Sequence, residues 1–130
     1  MTSRLHSVTV DCADPVAQAN FWAAVTGYEQ HPENGVDPED DETLLLAPGD
    51  GPRILFLRVP EGKAAKNRLH LDLQPDCPRD EEVERILALG AAMVLDMRTP
   101  DGKGWAQLAD PEGNEFCVLR SAAERAATSD

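Results

Sequence analysis

Aromatic residues make up only 5% of this 130-residue chain, cysteines number three, and 24 acidic residues face 12 basic ones. Each scarcity excludes something. A net charge of −12 argues against DNA or RNA as a partner, because phosphate binding needs a basic face. It argues equally against an anionic membrane surface. Cys12, Cys77 and Cys117 are odd in number and form no CxxC pair, so neither a disulfide framework nor a zinc ribbon is indicated. No apolar run approaches the roughly 20 residues of a membrane span. The segment 1–10 lacks the apolar core of a signal peptide. A cytoplasmic location, with reduced cysteines, is the expectation.

What is present is ordinary globular material, 42% apolar and 28% charged. A chain of this size buries enough surface to fold without a disulfide or structural metal. Leu5 to Cys12 alternates and is rich in β-branched residues, which predicts a strand with Val8, Val10 and Cys12 on one face and Ser7, Thr9 and Asp11 on the other. Asp14-Pro15 reads as a helix start, and Gly27 as its left-handed stop. A short strand is expected at Tyr28 to Gln30, then an exposed acidic loop from His31 to Glu42. Strands follow over Thr43 to Ala47 and Arg53 to Val59, with turn chemistry at Gly49-Asp50-Gly51-Pro52 between them.

A polar segment, Pro60 to Asn67, leads into a second pass of the same plan. Leu69 to Leu73 predicts a strand with its leucines on one face and His70 and Asp72 on the other. A helix is expected over Asp80 to Leu89 with Val83, Ile86 and Leu87 facing inward, ended by Gly90. Strands follow at Ala92 to Met97, Trp105 to Ala109 and Glu115 to Arg120, joined by TPDGKG and DPEGN turns. Strand, helix, glycine and about three strands thus occur twice, an internal duplication. Ser121 to Asp130, small and polar, is expected to be a flexible tail.

Three ordered motifs carry a resemblance. They are Val10-Asp11-Cys12-Ala13-Asp14-Pro15 with Phe21-Trp22 and Gly27; Val59-Pro60-Glu61-Gly62-Lys63 through Lys66-Asn67-Arg68-Leu69-His70-Leu71-Asp72-Leu73; and Leu108-Ala109-Asp110-Pro111-Glu112-Gly113-Asn114-Glu115-Phe116-Cys117-Val118-Leu119. Together they resemble the vicinal oxygen chelate superfamily of glyoxalase-like and bleomycin-resistance-like proteins, in particular a glyoxalase-like subgroup frequent in actinobacteria. The resemblance implies an α+β fold of two βαβββ modules, curled into a partly open, cup-shaped barrel with the helices outside. The chain is then one glyoxalase-like domain over 1–130, with modules at 4–60 and 67–120. A homodimer is likewise implied by the resemblance.

In the metalloenzymes of that superfamily, four strand residues hold one divalent ion, which acts as a Lewis acid. Here the first ligand position falls on Ser7, and neighbouring His6 points to the opposite face. The second falls within Arg53 to Val59, which offers only apolar residues and arginines. The third falls on His70 or, by the internal repeat, on Arg68. The fourth falls on Cys117, with Glu115 one pleat earlier. No cofactor is therefore expected; the alternative is one divalent metal ion held by His70, Glu115 and Cys117, with Asp72 as a further donor.

Strand alternation places Asp11, His70, Asp72, Trp105 and Cys117 around one cavity, with Ser7, Thr9, Leu55, Leu57 and Glu115 as further ligand-binding candidates. Trp105 suits stacking on a planar ligand, whereas Trp22 occupies the family's core aromatic position. Cys12 reads as core, Cys77 and solvated His31 as loop residues, and Lys63, Lys66 and Arg68 as a solvated basic linker. Three functions follow as expectations. The first is a non-catalytic small-molecule-binding protein that sequesters an aromatic metabolite or antibiotic. The second is a metal-dependent lyase, isomerase, epimerase or dioxygenase. The third is a metal-free enzyme using His70 and Asp72 as an acid–base pair.

Overall fold

A computed structural model of the chain describes residues 1–128. The chain divides into two compact units, Met1–Gly62 and one beginning at Lys63. Each is a βαβββ module, and the fold class is α+β.

The first unit comprises β1 (Ser7–Cys12), α1 (Pro15–Thr26), β2 (Glu29–Gln30), β3 (Glu42–Leu46) and β4 (Arg53–Arg58). Its sheet runs β1-β4-β3-β2, with β1 parallel to β4 and the other pairs antiparallel. The start of α1 follows the expected chemistry: the Asp14 carboxylate accepts from the Ala17 N–H at 3.1 Å and Pro15 opens the first turn. Gly27, at φ +74°, closes the helix and donates to the Ala23 carbonyl at 2.8 Å. The buried face of the sheet carries Thr43, Leu45, Ile54, Phe56 and Cys12. Thr43 Oγ1 donates to the Pro15 carbonyl at 2.8 Å, which puts α1 over that face. Phe21 and Trp22 meet edge to face, ring centroids 5.3 Å apart, in the same core.

The acidic segment is pinned rather than free. Asn34 makes a two-way bond to the Leu44 backbone, accepting at 3.0 Å and donating at 2.9 Å, as another strand would. His31 Nδ1 accepts from the Glu33 N–H at 3.2 Å, so this half-buried imidazole shapes the turn instead of standing in solvent. Glu42, expected in the loop, begins β3.

The second unit comprises β5 (Leu71–Leu73), α2 (Arg79–Ala88), β6 (Ala92–Asp96), β7 (Ala106–Ala109), β8 (Glu115–Val118) and α3 (Ala122–Ala127). Its sheet order, β5-β8-β7-β6, repeats the first strand for strand, with the parallel pair β5–β8 in the place of β1–β4. Val83 and Ile86 of α2 are fully buried, as are Phe116, Val118, Ala106 and Leu108 of the sheet.

The second unit departs from expectation at both of its ends. Alternation in the sequence predicts Leu69 within the strand, but β5 begins at Leu71 and Leu69 is 86% exposed. His70 therefore precedes the strand instead of lying within it. The other departure is at the expected flexible tail, whose residues 122–127 form α3; 129–130 lie outside the described residues. A capping box starts α3: Ser121 Oγ accepts from the Glu124 N–H at 3.1 Å, and Glu124 accepts from the Ser121 N–H at 3.0 Å. The same Glu124 carboxylate takes the Arg79 N–H at 2.7 Å. It thereby supplies the cap that α2 lacks, since Pro78 offers no side-chain bond. This reciprocal use of one carboxylate is what ties the segment down.

Arg79 itself is buried and holds the β6–β7 hairpin. Its Nη1 donates to the carbonyls of Lys103 and Gly104 at 2.9 and 3.0 Å, and its Nε to Asp80 at 3.1 Å. No helix of the described residues is long and apolar enough to cross a membrane.

Candidate functional site

Each sheet has one face under its helix and one turned away from it, here called the open face, and strand register assigns the candidates to them. In the first unit Thr9 pairs with Leu55, and Leu55 with Leu44; one pleat on, Asp11 pairs with Leu57, and Leu57 with Glu42. Paired residues point to the same side. Ser7, Thr9, Asp11, Leu55 and Leu57 therefore share the open face, together with Leu44, Leu46 and Glu42. All four of those leucines are half-buried, in contrast to the buried Leu45, Ile54 and Phe56 behind them. Sequence reading missed Glu42, because a run of acidic residues and prolines masked the point where the strand begins.

In the second unit the corresponding row is Asp72, Cys117, Gln107 and Leu95, successive partners across β5, β8, β7 and β6. His70 approaches this row from the segment before β5. Its Nε2 stands 3.4 Å from Asp72 Oδ1, and both side chains are about half exposed. Cys117 is 7% exposed, and its sulfur lies within 4.8 Å of the Asp72 carboxylate. Burial, and then the charge and hydrogen bond of Asp72, push this thiol above its ordinary range; Lys66 opposes weakly. One donor atom from each of His70, Asp72 and Cys117 lies within 4.8 Å of the others.

Glu115 is not part of that group. Its carboxylate receives the Lys63 ammonium at 3.2 Å and the Asn67 N–H at 3.3 Å. Burial pushes this carboxyl up, but its own backbone N–H, Lys63 and Asn67 together outweigh burial and hold it below the usual carboxylate range. Lys63 is thus a partner of Glu115, not a solvated linker residue. Trp105 stands at the base of the hairpin, 41% exposed, its carbonyl accepting from the Met97 N–H at 2.9 Å. Gln107 was not singled out from sequence, although it shares Trp105's strand parity, two residues along.

The four-donor metal set of the superfamily does not fit these residues. In the first unit the open face offers Ser7 at the first position and Leu55 and Leu57 along β4, none of them a His, Gln or Glu. In the second, a buried thiol stands at the fourth position and the neighbouring carboxylate is already neutralised by Lys63.

Comparison with known proteins agrees with this architecture. No curated protein sequence matches the chain. Among solved structures, a glyoxalase/bleomycin resistance protein/dioxygenase family enzyme from Burkholderia phytofirmans PsJN is similar, with a TM-score of 0.67 and 22% identity over 89% of this chain and 97% of that one. A mutant of the fosfomycin resistance protein FosX from Listeria monocytogenes, complexed with manganese(II) and a dihydroxypropylphosphonic acid, gives 0.68 and 22% over 96% of both chains. TioX from Micromonospora sp. ML1 gives 0.59 and 19% over 91% and 98%. These likenesses concern the fold. The model of the glyoxalase-like domain matches residues 7–119, nearly the whole chain, and the chain belongs to that family.

Proposed function

We propose that this chain is a glyoxalase-like small-molecule-binding protein that works without the family's usual metal centre and takes a flat, largely apolar ligand such as an aromatic metabolite or antibiotic. The observation that carries this reading is the open face of the first sheet. Leu44, Leu46, Leu55 and Leu57 stand there half-buried on the side away from α1, with Asp11 and Glu42 at one end, Ser7 and Arg53 at the other, and Thr9 and Glu29 beside Leu55 and Leu46. A face of leucines with a few polar groups at its rim suits an apolar ring system oriented by one or two hydrogen bonds. Trp105, in the other unit, is a separate candidate for stacking on a planar ligand. Homodimer formation and kinship with the actinobacterial subgroup belong to the same proposal and rest on the sequence resemblance, while a cytoplasmic location rests on the odd cysteine count without CxxC pairs.

The experiment is a titration with a panel of planar aromatic metabolites, read by intrinsic fluorescence and thermal shift. Saturable binding without turnover supports the reading. Turnover of a small α-keto or hemithioacetal compound, with no aromatic ligand bound, overturns it in favour of an enzyme. That second reading, a metal-dependent lyase, isomerase, epimerase or dioxygenase, takes its support from the grouping of His70, Asp72 and Cys117.

A further inference from the structure

We propose that Arg79 is the positioning residue for Trp105: its buried guanidinium fixes the peptide that enters Trp105 and so holds the indole ready to stack on a flat ligand. The role of Trp105 rests on the ligand-binding reading; the role of Arg79 is an addition to it.

Trp105 lies between two restrained peptides. On its N-terminal side, Arg79 Nη1 donates to the Lys103 and Gly104 carbonyls at 2.9 and 3.0 Å. The Gly104 carbonyl belongs to the same planar peptide as the Trp105 N–H, so this bond sets the orientation of that plane. On the C-terminal side, the Trp105 carbonyl accepts from the Met97 N–H at 2.9 Å. With both flanking planes held, the Cα–Cβ bond of Trp105 is aimed in one direction. The turn before it has little slack. The Lys103 carbonyl also accepts from the Thr99 N–H at 3.0 Å. Gly104 stands at φ +84°, packed so closely that a Cβ would lie 2.0 Å from the Met97 carbonyl oxygen.

Arg79 is itself fixed from two sides. Its backbone N–H donates to the Glu124 carboxylate of α3 at 2.7 Å, and its Nε donates to Asp80 at 3.1 Å. Its side chain is only 4% exposed. A buried guanidinium is costly unless its donors are met. Here they are met by one carboxylate and by the two carbonyls that immediately precede Trp105. The indole that these bonds support is 41% exposed. An exposed ring on an unrestrained hairpin loses conformational freedom when it stacks on a ligand. A ring already oriented loses less, and that preorganisation raises affinity. The ordering is done on folding, before a ligand arrives.

The test uses the full chain labelled with fluorotryptophan, in which Trp22 and Trp105 give two fluorine resonances. Trp105→Phe assigns them. Arg79→Met is expected to displace or broaden the Trp105 resonance and to leave that of Trp22 in place. Asp80→Ala removes only the Nε partner, at a side chain 67% exposed, and should displace the same resonance by less. It serves as the deciding variant where Arg79→Met does not fold. Arg85→Met, elsewhere on α2, is the control and should move neither resonance. For a planar aromatic ligand that binds the wild type, Arg79→Met should weaken Kd about 2- to 10-fold, the worth of one aromatic stacking contact. An unmoved Trp105 resonance in folded Arg79→Met, or in Asp80→Ala where Arg79→Met does not fold, overturns the proposal. Equal displacement of both tryptophans does so too, since it marks a general loss of packing. A displaced Trp105 resonance with undiminished affinity also overturns it. Absence of any aromatic binding by the wild type overturns the ligand-binding reading instead. A Trp105 resonance that still moves in Arg79→Met then upholds the positioning of the ring, so the two failures are distinguishable.

Discussion

Asp72 and Cys117 are register partners across the parallel β5–β8 pair, which sets the buried side chain of Cys117 beside the half-exposed carboxylate of Asp72. The pairing joins residues 45 positions apart in sequence, and it converts a strand cysteine of ordinary appearance into the centre of a polar group. It also separates Cys117 from Glu115, whose carboxylate faces Lys63 and the Asn67 backbone.

The two tryptophans are expected to behave in opposite ways. Trp22 is 4% exposed in the first unit's core, and Trp22→Ala should cost about 3–5 kcal/mol of stability. Trp105 is 41% exposed, so Trp105→Ala should cost less than about 1 kcal/mol and yet abolish fluorescence quenching by an aromatic ligand. Chemical denaturation of both variants, with ligand titration of Trp105→Ala, checks the pair. Undiminished quenching in Trp105→Ala would remove this residue from the ligand site.

Gly104 is expected to tolerate no side chain. It sits at φ +84°, and a Cβ there would lie 2.0 Å from the Met97 carbonyl oxygen. Gly104→Ala should destabilise by at least about 1–3 kcal/mol, the usual cost of a left-handed backbone for other residues, before the clash is added. Gly62→Ala, where nothing lies within 4 Å and φ is not left-handed, is the control and should be close to neutral in urea denaturation.

Acid stability should report on Asp96. Arg98 grips its carboxylate through Nε at 2.8 Å and Nη2 at 2.8 Å, and these bonds bring the carboxyl from its usual 3.8 down to about 2. A carboxyl that is more acidic when folded stabilises the protein above its unfolded value, and that contribution is lost as pH falls through the folded value. The Asp96 contribution is therefore complete above about pH 4 and gone near pH 2. Asp96→Asn should flatten the stability–pH curve in that window only. Added salt should shrink the difference, because the pair is exposed.

The cap on α3 is a further target. Ser121→Ala removes the bond to the Glu124 N–H and should cost about 0.5–2 kcal/mol. Glu124→Ala removes the Ser121 and Arg79 bonds together, so it should cost more and should also raise hydrogen exchange at the first turn of α2. Equal costs for the two variants would show that the Arg79 bond contributes nothing.

Local chemistry wrote the modules into the chain. Asp14-Pro15 before α1 and Gly27 after it, the alternation Val8 to Cys12, and the DPEGN turn are each readable because capping, φ restriction and strand pleat act between near neighbours. Repetition of that plan, with the three motifs, was enough for the α+β fold and the family. Three things depended on partners distant in sequence. Leu69 alternates correctly with Leu71, yet β8 pairs only from Phe116 onward and leaves Leu69 exposed. Residues 122–127 have tail-like composition, but one carboxylate, Glu124, caps two helices and holds them. Glu115 and Cys117 have the same strand parity, so sequence could not rank them. The Lys63 ammonium neutralises one and Asp72 meets the other, and only the folded chain brings those partners within hydrogen-bonding range.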